Sequence, residues 1–189
     1  MNTSKTFVLR LRVAFVDVKY YTGIGSRDCP EHLGNLMTQT AKYLYSKNYI
    51  LRSGGAEGAD TYHELGYPDN KEIYIPRENY RNIKHGIVPN LPDFIPLVKI
   101  GCKHFNNIRS KLVRDLHTRN VCQIIGNNIH NPVLSNFVLC YTYNGEYVGG
   151  TATAMHLADY FQIPIFNYGY YKTFSECKKE LKKFLETHT

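Results

Sequence analysis

Three glycine-rich turns constrain the fold of this chain more than any other feature of its sequence. They lie at residues 23–27 (GIGSR), 53–60 (SGGAEGAD) and 149–151 (GGT). Each turn follows an apolar segment that we predict to be a strand and precedes a segment that we predict to be a helix. Strands that alternate with helices in this way form a parallel sheet with right-handed crossovers. The sequence therefore predicts a Rossmann-like, doubly wound α/β fold with a mainly parallel sheet flanked by helices.

The spacing of apolar residues predicts the remaining elements. Strands are expected at the entry to the first turn and at residues 49–52, 71–76, 136–142 and 163–168, and helices at residues 30–46, 59–65, 149–161 and 174–184, with a further helix marked by Phe105, Ile108, Leu112 and Leu116. Residues 77–104 have no clear period and contain three prolines, so we expect a long loop or small insertion there. Residues 6–16 either form a separate strand or extend the strand that enters the first turn. We expect one domain, spanning residues 1–189.

Composition narrows the class of partner. The formal charge of +7 suits an anionic ligand, although an ordinary basic protein has the same balance. Five scattered cysteines without a C-x-x-C pair indicate reduced thiols and a cytoplasmic protein, and the histidines lack the spacing of a metal site. Arg10, Arg12 and Asp17 interrupt the apolar N-terminal stretch, which argues against a signal peptide or a membrane span. We therefore expect no metal, no required cofactor and no membrane partner.

The chemistry of the turns favours a phosphate-bearing ligand, most naturally a nucleotide. Glycines let the backbone approach a phosphate, and amides at a helix N-terminus attract an anion. In a parallel sheet, all such turns lie at the carboxyl ends of the strands and converge on one crevice. The spacing matches neither a dinucleotide fingerprint nor a Walker loop, which disfavours a dehydrogenase or a nucleoside triphosphatase. The residues predicted to bind the ligand from these turns are Gly23, Gly25, Ser26, Arg27, Ser53, Gly54, Gly55, Gly58, Asp60, Gly149, Gly150 and Thr151.

Several of these side chains have a structural alternative to ligand binding. Ser26 and Arg27 are able to grip a phosphate, but a serine here also caps a helix and an arginine also lies in solvent. Asp60 accepts hydrogen bonds either from ribose hydroxyls or from the N-terminus of its own helix. Thr151 has the same two options, and Glu57 is expected in solvent. The sequence leaves these alternatives open.

The turns together resemble a known superfamily. The run YTGIGSRDCPEHLG, followed by SGGAEGAD and then by His63, is similar to the SLOG superfamily and, within it, to the Rossmann domain of the DprA family of DNA-processing proteins. Arg119 and Asn120 resemble the Arg-Asn element of that family, and the GGT turn with its following helix and strand resembles the last turn. The longer pattern is most similar to small stand-alone SLOG proteins of bacteriophage genomes. The resemblance covers about residues 20–167 and implies that Arg119 and Asn120 also contact the ligand.

The resemblance implies three functions. SLOG proteins include nucleotide sensors or sequestering proteins, mediators that bind single-stranded DNA, and phosphoribohydrolases that cleave nucleoside monophosphates. The net charge supports DNA binding, and so does a basic, aromatic run whose rings could stack on bases, formed by Arg77, Tyr80, Arg81, Lys84 and His85. Their relatives often form homo-oligomers, and a phage-encoded member would act in the host cytoplasm. The hydrolase motif places a catalytic glutamate where this chain has His156, which we expect to face the crevice. Hydrolysis would then need another acid, for which Glu57 and Glu64 are the candidates, so nucleotide binding is the preferred function.

Overall fold

Five parallel strands form one sheet in the computed structural model, which describes residues 18–189. The strands are β1 (Lys19–Gly25), β2 (Tyr49–Ser53), β3 (Lys71–Ile73), β4 (Phe137–Tyr141) and β5 (Ile165–Asn167), in the spatial order β3-β2-β1-β4-β5. Every neighbouring pair runs parallel. Six helices connect or follow the strands: α1 (Glu31–Ser46), α2 (Ala59–Glu64), α3 (Leu91–Gly101), α4 (Lys111–Ile125), α5 (Gly149–Tyr160) and α6 (Phe174–His188). The predicted doubly wound α/β fold is confirmed.

Helices cover both faces of the sheet, and the strands divide their side chains between two cores. In β4, Phe137 and Leu139 pack with α1 and α6, whereas Val138 and Cys140 pack with α3, α4 and α5. All five residues of β4 are buried, as expected for a parallel strand between two helical layers. None of the helices within residues 18–189 is long and apolar enough to cross a membrane.

Of the two alternatives for residues 77–104, the long loop is corrected, because this segment contains the three-turn helix α3. Pro92 lies at its N-terminal end and Pro96 lies inside it, and these prolines hid the helix at the sequence level. The usable signal was the helical spacing of Phe94, Val98 and Gly101, which are buried against α4 and α5. The next helix also begins later than predicted, since Phe105 lies in a short 3-10 turn before α4. The open question about residues 6–16 lies outside the described residues.

The chain changes direction across the sheet between β1 and β4. The turn after β1 leads into α1 on one face, and the turn after β4 leads toward α5 on the other. Adjacent strands whose connections leave toward opposite faces create a crevice beyond their carboxyl ends, where α/β proteins bind ligands. The fold therefore assigns the turns after β1 and β4 to one candidate site.

Candidate functional site

A cavity of about 360 Å³ lies at this crevice. That volume falls within the range of small-molecule sites. Its walls include nine of the residues that the sequence predicts to bind a ligand: Gly25, Ser26, Arg27, Asp60, Arg119, Asn120, Gly149, Gly150 and Thr151. Further wall residues come from the loop after β3, from α4 and from the end of β4, among them Tyr80, His117, Gln123, Thr142 and Tyr143.

Asp60 joins the turns after β1 and β2. One carboxylate oxygen accepts the amide of Gly25 at 3.0 Å, and the other accepts the amides of Gly54 at 3.1 Å and Ala56 at 3.3 Å. The side chain is 3% exposed. Burial raises the pKa of Asp60, while the nearby Arg119 and the three amides oppose that shift. Asp60 thus occupies amides of both turns that would otherwise face an anion.

Most glycines of these two turns are required by packing. A Cβ on Gly23 would lie 2.6 Å from the ring of the buried His63, and a Cβ on Gly54 would overlap the guanidinium of Arg119. Gly55 contacts Ile83 in the same way and has a φ of +64°. Gly58, with a φ of +77°, lies against the carbonyl oxygen of Arg27. These four predicted binding residues, and the buried Ser53 at the end of β2, lie outside the cavity wall.

The N-terminus of α5 is open by contrast. Nothing lies within 4 Å of a Cβ built on Gly149, and only the amide nitrogen of Asn120, at 3.4 Å, lies near one built on Gly150. The first amides of a helix have no partner within the helix, and together they carry a partial positive charge. Since Gly149, Gly150 and Thr151 all line the cavity, this helix end presents its amides to whatever the cavity holds.

Arg119 supplies a buried cation to the same cavity wall, where its guanidinium packs against Gly54. It lies on α4, is 5% exposed, and forms no ion pair within 4 Å to any described carboxylate. Its Nε atom is buried without a hydrogen-bond partner among residues 18–189. Burial lowers the pKa of Arg119, and Asp60 and Tyr80 partly offset this effect. A guanidinium stays protonated in proteins, so the cavity wall carries a full positive charge.

Two neighbouring amide side chains, Asn120 and Gln123, position the α5 terminus and Arg119 by hydrogen bonds. The Asn120 amide donates to the carbonyl oxygen of Gly150 at 2.8 Å. Hydrogen bonding orients the Gln123 amide so that its oxygen accepts from Arg119 and from the backbone amide of Gly54 at 3.1 Å. The arrangement couples α4 to the second turn and to α5.

Sequence reasoning missed His117. Its Nδ1 atom lies 2.7 Å from the Thr153 hydroxyl, and the ring is part of the cavity wall. Burial and the neighbouring His104 lower the pKa of His117. Its position three residues before Asn120, on the same face of α4, was the available signal. Tyr143 lies in a loop without any periodic pattern, whereas Tyr80 belongs to the basic, aromatic run already noted in the sequence.

The candidate acids lie away from the cavity wall. Glu57 is exposed and pairs with Arg81, as the solvent alternative predicted. Glu64 is largely buried behind the second turn, and burial together with the charge of Asp60 raises its pKa to about 7. The expectation that His156 faces the crevice is corrected: the residue points into solvent and packs on Tyr147, with ring centroids 4.9 Å apart. Among the described residues of the wall, Asp60 is the sole carboxylate.

Comparisons with known proteins give a remote structural likeness and no sequence match. No family model and no curated protein matches the sequence. One solved structure that it resembles is DNA processing protein A from Helicobacter pylori, described for its single-stranded DNA binding mode. The two chains are 16% identical, with a TM-score of 0.48 over 79% of this chain and 64% of that chain. A match this remote carries no argument about ligand or activity.

Proposed function

We propose that this protein binds a phosphate-bearing ligand, a nucleotide, in the cavity beyond β1 and β4, and that it acts as a nucleotide sensor or sequestering protein. The phosphate lies at the N-terminus of α5, between the amides of residues 149–151 and the guanidinium of Arg119. Ser26 and the exposed Arg27 border the same space from the turn after β1. Such a pairing of helix amides with an arginine fork is suited to a dianionic phosphate.

One observation carries the proposal: a single cavity is lined both by the buried Arg119, which forms no ion pair, and by the open N-terminus of α5. Burying a cation that forms no direct ion pair is costly, and a bound anion lowers that cost. Asp60 is the one carboxylate among the described wall residues, and its oxygens already accept three amides. For the same reason the proposal is binding rather than hydrolysis.

Calorimetric titration tests the proposal, with adenosine monophosphate as the probe. We expect the wild-type protein to bind it and Arg119→Gln to bind it about a hundredfold more weakly, as when one partner of a buried charge pair is lost. Arg114→Gln is the matched control, because Arg114 is exposed on the same helix and lies outside the cavity. It should bind like the wild type. Unchanged binding by a folded Arg119→Gln protein, or no binding by the wild type, would refute the assignment.

Single-stranded DNA is the second candidate, favoured by the loop that follows β3. This loop carries Arg77, Tyr80, Arg81, Lys84 and His85, and Tyr80 reaches the cavity wall. Basic side chains that follow a backbone, with rings that stack on bases, are typical of single-strand binding sites. If a DNA oligonucleotide binds tightly and loses affinity steeply with salt while mononucleotides do not bind, the DNA function replaces the nucleotide function.

A further inference from the structure

Two tyrosines border the cavity from opposite directions. Tyr80 belongs to the loop after β3, and Tyr143 follows β4; these strands lie on opposite sides of β1 in the sheet. Both side chains line the cavity, which lies beyond the end of β1. Tyr143 is 68% exposed although it is large and aromatic. The cavity therefore has a polar wall around Arg119 and aromatic groups at two sides.

The Tyr80 side is anchored to the second glycine turn. Ile83 packs against Gly55, and Arg81 forms an ion pair with Glu57. The base of the loop is closed where the Ile87 amide donates to the Ile73 carbonyl at 2.7 Å. Tyr80 itself is flanked by residues with left-handed backbone conformations, Asn79 (φ 54°) and Arg81 (φ 55°). These contacts hold the ring beside the cavity instead of leaving it on a free loop.

The Tyr143 side is anchored to β5. The Asn167 side chain accepts the Thr142 amide at 3.1 Å and donates to the Thr142 hydroxyl at 2.7 Å. The Gly145 amide donates to the Thr142 carbonyl at 3.1 Å, which closes the turn around Tyr143. These hydrogen bonds hold the backbone next to Tyr143, while the faces of its ring remain accessible to a ligand.

We infer that Tyr80 and Tyr143 form a binding site for the base of the ligand, so that the protein selects nucleotides over sugar phosphates. This inference rests on the proposed function, since the phosphate at α5 fixes the end of the ligand from which the base extends. Stacking on tyrosine stabilises every base, because each base has a π face. The walls provide stacking from two directions, and the ligand class is therefore a phosphorylated compound with an aromatic base.

A comparison of adenosine monophosphate with ribose 5-phosphate isolates the contribution of the base. We expect the wild type to bind the nucleotide at least about tenfold more tightly, and Tyr80→Ala or Tyr143→Ala to reduce that preference about tenfold each, given the usual strength of base stacking. The affinity for ribose 5-phosphate should fall much less than the affinity for the nucleotide. Tyr80→Phe and Tyr143→Phe keep the stacking face and should retain the preference. Tyr160→Ala is the control, since Tyr160 is 60% exposed and lies outside the cavity wall.

The outcomes separate this inference from the proposed function. Equal binding of the two ligands by the wild type overturns the base site and leaves the phosphate site intact. Alanine variants that lose both ligands equally also overturn it, because the rings would then support the phosphate or the fold. If neither ligand binds the wild type, the proposed function fails and the inference fails with it.

Discussion

The turns after β1 and β2 and the turn at the start of α5 look alike in the sequence but serve different purposes. In the first two, Asp60 binds three backbone amides, and most of the glycines touch a side chain or a carbonyl. At α5, Gly149 and Gly150 face open space and the helix amides have no such partner. Glycine in a strand–helix turn therefore indicates close approach, and the approaching group is either the protein itself or a ligand. Where backbone amides lack a partner within the protein, as at the start of α5, the approaching group is a ligand; where they are bound by Asp60, it is the protein itself.

The comparison predicts that alanine destabilises the protein strongly at Gly58 and only slightly at Gly150. Gly58→Ala should lower the free energy of unfolding by about 4 kcal/mol, because the methyl group meets the Arg27 carbonyl and the backbone is left-handed. Gly150→Ala should change it by less than about 1 kcal/mol, since the space is open and the backbone is helical. Urea denaturation measures both values. Equal losses in the two variants would remove the distinction between the turns.

Asp60→Asn tests whether the first two turns depend on one carboxylate. An asparagine keeps one acceptor oxygen and brings an NH₂ group toward the amides that the second oxygen accepted. We expect a loss of about 3 kcal/mol, the scale of hydrogen bonds to a buried charge. Glu57→Gln is the control and should have little effect, because Glu57 lies in solvent. A stable Asp60→Asn protein would indicate that packing alone holds the turns.

The raised pKa of Glu64 should make the free energy of unfolding depend on pH. Its pKa is raised from 4.5 to about 7, chiefly by burial and by the charge of Asp60, so the folded state holds the proton more tightly than the unfolded state. The free energy of unfolding should therefore fall as the pH rises from 4.5 to 7. Glu64→Gln should remove this fall and be more stable than the wild type at pH 8, by about 2 kcal/mol. Denaturation at pH 5 and pH 8 measures this difference. If the free energy of unfolding changes with pH by the same amount in the variant and the wild type, Glu64 does not hold a proton in the folded state.

Gly150→Ala should weaken nucleotide binding by about tenfold, the smallest effect in this series, because its methyl group enters the space assigned to the phosphate. Its stability, measured in the same samples, serves as the control. Retained affinity would place the phosphate elsewhere in the cavity.

Local patterns in the sequence predicted most of the fold but only part of the site. Alternating strands and helices, with three glycine-rich turns between them, were sufficient for the doubly wound sheet. Asp60 was predicted either to bind ribose hydroxyls or to cap its own helix, yet it accepts the amide of Gly25, a contact that spans 35 residues and has no local signature. Tyr80 and Tyr143 reach the cavity only because their loops are tied to Gly55 and Asn167, and such tertiary contacts leave no pattern in the sequence. His156 is a residue that the sequence placed at the site and the structure did not. Its position in the motif did not determine the direction of its side chain.

A titration of the ¹⁵N-labelled protein with adenosine monophosphate, followed by amide NMR, tests the central claim most directly. We predict that the largest amide shifts fall on Gly149, Gly150 and Thr151, while the amides of Gly54 and Ala56 shift little because they donate to Asp60. The opposite result, with the largest shifts at residues 54–56 and none at the start of α5, would contradict the account.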